Sequence, residues 1–95
     1  MMKILVCCGS GLGSSFMIEM NIQNILNELG VNGIEVSHSD LSSAKGMSAD
    51  IYVSTRDLSS QLEGLGGEVI SLNNMIDMDE LKNKLLETLK KLNVL

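Results

Sequence analysis

Lys3-Ile4-Leu5-Val6-Cys7 is a compact aliphatic run, and Cys8-Gly9-Ser10-Gly11-Leu12-Gly13-Ser14-Ser15 follows it without a break. A continuous rather than alternating apolar run is the mark of a strand buried on both faces, as in a parallel sheet. The three glycines in the next segment point to irregular backbone, and Ser14 or Ser15 is a suitable helix N-cap. Ile18, Ile22, Ile25, Leu26 and Leu29 then recur at helical spacing, and Gly30 falls where a left-handed residue ends a helix. Strand, glycine loop and helix in this order form the first half of a βαβ unit.

The same alternation runs through the rest of the chain. Ile34-Glu35-Val36 reads as the centre of a second strand, and Asp40 as the cap of a short helix, Leu41–Lys45, closed by Gly46. Asp50–Ser54 is a third strand, followed by a helix from about Arg56 to Glu63 that buries Leu58 and Leu62. Glu68–Leu72 is a fourth strand. Asp77 with Glu80 three residues later resembles a capping box, and Leu81, Leu85, Leu89 and Leu92 stripe the closing helix. Lys82, Lys84, Lys90 and Lys91 belong mostly outside. The expected architecture is one α/β domain over residues 1–95: a four-stranded parallel sheet of order 2-1-3-4 flanked by helices, a flavodoxin-like three-layer sandwich. In such a sheet a crevice opens at the carboxyl ends of the first and third strands, where connections leave in opposite directions. The glycine loop and Ser54-Thr55-Arg56 line it.

Composition narrows the partners. Twelve acidic against seven basic residues give a net charge of −5, the wrong sign for binding nucleic acid. Phe16 and Tyr52 are the only aromatics, so no stacking platform exists. The two cysteines are adjacent and close no useful loop as a disulfide, and with a single histidine, His38, they make a poor zinc set. No apolar stretch reaches the length of a signal-peptide core or a membrane span. The expectation is a cytosolic, reduced protein with a thiol free for chemistry.

A glycine-rich nest ending at a helix N-terminus cradles oxyanions, and a cysteine at its first position has its thiolate stabilised by the same N–H groups. Cys8 thus reads as a nucleophile and Gly9, Ser10, Gly11, Leu12, Gly13, Ser14 and Ser15 as the phosphate-binding loop, with no acid before Glu19 to repel a phosphoryl group. Cys7, the last strand residue, reads as packing. Small buried cysteines are common, so a packing role for Cys8 is the competing reading. The serines serve as hydroxyl donors or as caps. Thr55 and Arg56 are accessory candidates, Arg56 also suiting a solvated helix start. His38 reads either as a phosphoryl acceptor or as a polar residue near the loops.

Other phosphate sites fail on the letters. A nucleotide P-loop ends in Gly-Lys-Ser/Thr, against Gly13-Ser14-Ser15 here. A dinucleotide fingerprint needs GxGxxG. A receiver domain needs an aspartate ending the third strand, whereas Asp50 begins it. A cysteine phosphatase loop places arginine six residues after its cysteine, and Ser14 occupies that position. Without that guanidinium the loop suits relay of an activated phosphoryl group better than ester hydrolysis.

Cys8-Gly9-Ser10-Gly11-Leu12-Gly13-Ser14-Ser15 and the Met/Ile-rich helix after it resemble the enzyme IIB subunits of the bacterial sugar phosphotransferase system (PTS), specifically the ascorbate-type branch of the ascorbate/galactitol group. The resemblance runs through Ala49-Asp50-Ile51, Asn73-Asn74 and the closing helix; Cys7 is its notable departure. It implies a four-stranded parallel sheet and a phosphocysteine at Cys8. Phosphate arrives from a phosphohistidine on a IIA phosphocarrier protein and leaves to a sugar, ascorbate or a relative, carried by the membrane IIC transporter. The protein is then cytoplasmic and transiently at the inner face of the membrane, and needs neither metal nor cofactor. Two other classes remain open: a small thiol phosphatase or oxyanion reductase, and a non-enzymatic regulatory α/β module. Met17, Met20, Met47, Met75 and Met78 read as core filler, or as an adaptable docking face if they ring the crevice.

Overall fold

The computed structural model describes residues 2–7, 12–74 and 76–95, with backbone alone at 12–15. Four strands, β1 (Met2–Cys7), β2 (Ile34–Ser39), β3 (Ile51–Thr55) and β4 (Glu68–Leu72), alternate with helices α1 (Leu12–Glu28), α2 (Leu41–Ala44), α3 (Arg56–Ser59) and α4 (Met78–Lys91). The sheet is wholly parallel with order β2-β1-β3-β4, as the alternation predicts.

Side-chain alternation along the central strands divides the core in two. Ile4 and Val6 of β1, with Ile51 and Val53 of β3, pack against Ile18, Ile22 and Ile25 of α1 and Leu81, Leu85 and Leu89 of α4. Leu5, Cys7 and Tyr52 point to the opposite face, where Ala44 and Leu62 cover them. Leu81, Leu85 and Leu89 of the predicted stripe are fully buried, whereas Leu92 lies just past the end of α4 and is partly buried. Gly30 takes φ +70°, the left-handed conformation expected just beyond α1.

Several boundaries differ from the sequence reading, each for a physical reason. α1 starts at Leu12, so Ser14 and Ser15 lie inside its first turn rather than capping it. First-turn N–H groups need no intrahelical acceptor, so glycine and serine are tolerated there. β2 starts at Ile34, so Ile34-Glu35-Val36 is its first half rather than its centre, and it ends at Ser39, beside His38, because β1 supplies backbone partners as far as Cys7. α3 is a single turn ending at Ser59, whose Oγ lies 3.2 Å from the Arg56 carbonyl and 3.0 Å from Ser71 Oγ. A serine hydroxyl that engages local backbone competes with helix propagation. Leu62 is still buried, delivered by the turn that follows. β3 begins one residue later than expected, because Asp50 is used as a clamp: its Oδ2 accepts from the Lys3 N–H at 2.8 Å while its own N–H donates to the Lys3 carbonyl.

Lys84 departs from the solvated face assigned to it. Its ammonium is partly buried and donates to the Ser71 carbonyl at 2.5 Å and to Glu80 at 2.8 Å. Because β4 is an edge strand, occupying one of its carbonyls with a lysine also discourages pairing with another chain.

Candidate functional site

β1 and β3 are neighbours in the middle of the sheet, and their carboxyl ends meet where Cys7 pairs with Ser54. Cys8, Gly9, Ser10 and Gly11 lie outside the described residues, as does Met75. The flanking backbone frames them: the chain leaves a central strand after Cys7 and is helical again at Leu12. The first-turn amides of a 17-residue helix therefore begin four residues after Cys8. Those amides lack intrahelical acceptors and sit at the positive end of the helix dipole, the electrostatics that favour a doubly charged phosphoryl group.

Cys7 is fully buried beside Leu5 and Tyr52 on the α2/α3 face, which agrees with the packing role read from its place at the strand's end. Ser54 also lies under the surface. Its side chain is completely buried, and its Oγ has no hydrogen-bond partner among the described residues. It therefore does not line an open crevice, a correction to the expectation for Ser54-Thr55-Arg56. Thr55, the last residue of β3, is partly exposed and holds the N-cap position of α3 without a side-chain capping bond. Arg56 opens α3 with its side chain exposed, and no ion pair engages it among the described residues. The structure thus leaves Arg56 at the carboxyl end of the strand next to β1.

A polar constellation that sequence reasoning missed lies on the α1 side of β2. His38 Nδ1 is 3.1 Å from Glu19 Oε1, and both side chains are largely covered. The ring of Phe16, one turn before Glu19, packs edge-on against the imidazole at a centroid distance of 5.8 Å and an interplanar angle of 63°. Phe16 and Glu19 share a helix face by their spacing of three, but nothing in the sequence couples that face to a histidine nineteen residues later.

The apolar exposure is also uneven. Phe16, Met17 and Met20 on α1, with Ile76 and Met78 around the start of α4, leave large hydrophobic surface in solvent. Phe16 and Met17 lie in the first half of α1, Met20 at its middle, and Leu95 at the far end of the chain is exposed as well. Met47 is instead partly buried against the α2/α3-side core, the packing role read for it, whereas Met17, Met20 and Met78 are not core filler.

Residues 3–87 match the family model described as PTS system, lactose/cellobiose-specific IIB subunit. The chain is 31% identical over 91 residues to the ascorbate-specific PTS system EIIB component of Mycoplasma pneumoniae, covering 93% of this chain and 95% of that one. Its fold is similar to the lactose-specific IIB component domain of the phosphoenolpyruvate:carbohydrate phosphotransferase system from Streptococcus pneumoniae, with TM-score 0.63 and 17% identity over 97% of this chain and 94% of that one. No described helix is long and apolar enough to cross a membrane.

Proposed function

This chain belongs to the family of PTS IIB subunits, and from that we propose that Cys8 is the residue on which it carries the phosphoryl group. IIB subunits are phosphotransferases of sugar uptake, working through a phosphocysteine. The observation carrying the assignment to Cys8 is the placement of its neighbours. Cys7 is sealed in the core, which argues against it as the reactive thiol, while Cys8 directly precedes the segment that ends at the amino terminus of α1.

The Cys8 thiolate attacks the phosphorus of a phosphohistidine on a IIA protein. The S–P bond forms as the P–N bond breaks, and its electron pair returns to the imidazole nitrogen. Backbone N–H groups from Gly9 to Ser15 hold the three phosphoryl oxygens, and the hydroxyls of Ser10, Ser14 and Ser15 supplement them. The amides and the helix dipole offset the charge without a metal ion. Arg56, with Thr55 beside it, supplies a nearby cation. In the second step a hydroxyl of the sugar held by the membrane IIC transporter attacks the same phosphorus, its proton passes to water, the S–P bond breaks, and the thiolate is restored. Ascorbate is the proposed sugar, supported by the 31% identical relative that carries that name. The protein works in the cytoplasm and meets the inner face of the membrane only through IIC.

Incubation with radiolabelled phospho-IIA tests the first step. Wild type and Cys7→Ala take up label while Cys8→Ser does not; equal labelling of wild type and Cys8→Ser overturns the assignment. Transfer onward in membranes containing IIC, with ascorbate, lactose and cellobiose compared as acceptors, tests the sugar.

A further inference from the structure

The amides that open α1 are useful to a phosphoryl group only if the helix stays aligned with the sheet, and one polar side-chain contact adds direction to the apolar packing of Ile18, Ile22 and Ile25. Among the residues whose side chains are described, the Glu19–His38 hydrogen bond is the only one that joins α1 to a strand. It acts near the functional end of the helix. Glu19 lies two turns from Leu12, and Phe16, one turn from Leu12, packs against the same imidazole. On the sheet, His38 sits in register with Val6, two residues before Cys8. The imidazole is thus pinned by a carboxylate and an aromatic edge from the first two turns of one helix, while its backbone is fixed in the strand beside β1.

We propose that His38 is a positioning residue for phosphoryl transfer: through Glu19 and Phe16 it holds the amino-terminal turns of α1 in register with the carboxyl end of β1. The proposal rests on the reading of Cys8 as the phosphoryl acceptor. The bond requires a donor at Nδ1, which both the neutral Nδ1–H tautomer and the imidazolium supply. Asparagine places an amide N–H near the Nδ1 position, so His38→Asn preserves the contact and His38→Ala removes it. Interactions that orient a functional group from behind are worth roughly 10–100-fold in activity, and small displacements of a reacting geometry cost comparable factors.

Rapid-quench phosphoryl transfer from phospho-IIA to the whole chain, at varied phospho-IIA concentration, is the test. His38→Ala is expected to lower the maximal transfer rate by about tenfold, with the half-saturating concentration of phospho-IIA unchanged, and His38→Asn to restore most of the rate. Glu19→Ala, which breaks the same contact from the helix side, is expected to reproduce the His38→Ala loss and keeps the test open should His38→Ala fail to fold. An unchanged rate in both alanine variants overturns the proposal. So does a defect confined to half-saturation, equal slowing by His38→Ala and His38→Asn, or acid-labile label on His38 itself. Failure of the underlying reading looks different: wild type then stays unlabelled, or Cys8→Ser labels as well as wild type.

Discussion

A methyl group at Gly67 would lie 2.5 Å from the Ala49 carbonyl oxygen and 2.9 Å from the Tyr52 ring. Glycine is needed there because the backbone entering β4 passes directly over the start of β3, where the Glu68 N–H donates to the Asp50 carbonyl at 2.9 Å. Gly67→Ala must push backbone apart, so it is expected to destabilise the domain by about 1–3 kcal/mol, measured as a lowered urea midpoint. The buried Tyr52 is tied at its other end: its hydroxyl donates to the Met47 carbonyl at 2.9 Å and accepts from the Ala49 N–H at 3.2 Å. Tyr52→Phe strands both backbone groups and is expected to cost about 1–3 kcal/mol by the same measurement. Neither dependency shows in the letters. Gly67 reads as turn punctuation beside Gly64 and Gly66, and Tyr52 as one more strand residue, because each role depends on a segment brought close only by the fold. The Glu19–His38 pair is hidden for the same reason. The thiol pair is more legible: the end of an aliphatic run predicts that Cys7 is buried, and the glycines after it single out Cys8.

The elements were readable in proportion to their length and periodicity. α4 and β4 lie where the spacing predicts, because a stripe of four leucines and a run of five strand residues have few alternatives. Short elements are harder to read, as with α3, which stops after one turn because a local hydroxyl decides its end. The start of α4 shows both outcomes. Asp77 caps it as expected, its side chain accepting from the Glu80 N–H at 3.1 Å. Glu80 does not return the bond to Asp77 as a capping box would. It reaches further back, accepting from the Asn73 and Asn74 N–H groups and from the Asn73 side chain while pairing with Lys84. The Lys84 ammonium first, then the backbone N–H groups of Asn73 and Asn74, hold the Glu80 carboxyl at a pKa of about 2, against an ordinary 4.5. A depressed folded-state value means that the stabilisation is complete above pH 4.5 and disappears as the pH falls toward 2. Urea midpoints measured across that window are expected to fall for wild type and to vary less for Glu80→Gln, which starts lower at neutral pH. Parallel curves for the two proteins would show that Glu80 contributes nothing to acid stability.

At the scale of the whole molecule, a chain of net charge −5 leaves several large hydrophobic side chains exposed, among them Phe16, Met17 and Met20 on the helix that follows Cys8. A carrier that must engage a donor protein and a membrane transporter in turn needs a surface that accepts two shapes, and unbranched methionine repacks more readily than a branched side chain. Met17 and Met20, 44% and 50% exposed on the helix that follows the Cys8 loop, suit that requirement. They lie outside the buried face of α1, which is Ile18, Ile22, Ile25 and Leu26, so replacing them leaves the core intact. Phe16 is a poorer probe because it also touches His38. Truncating a well-placed apolar anchor at an interface costs about 1–2 kcal/mol. Met17→Ser combined with Met20→Ser is therefore expected to raise the half-saturating concentration of phospho-IIA on the order of tenfold, with the melting temperature and the saturating transfer rate unmoved. This is the opposite kinetic pattern to the one expected of His38→Ala. One helix would then be serving two separable ends, its outer face gathering the partner and its sheet-facing contacts aligning the amides. If the methionine variant instead slows transfer at saturation, the exposed face and the alignment of α1 are not independent, and this division of labour along the helix is wrong.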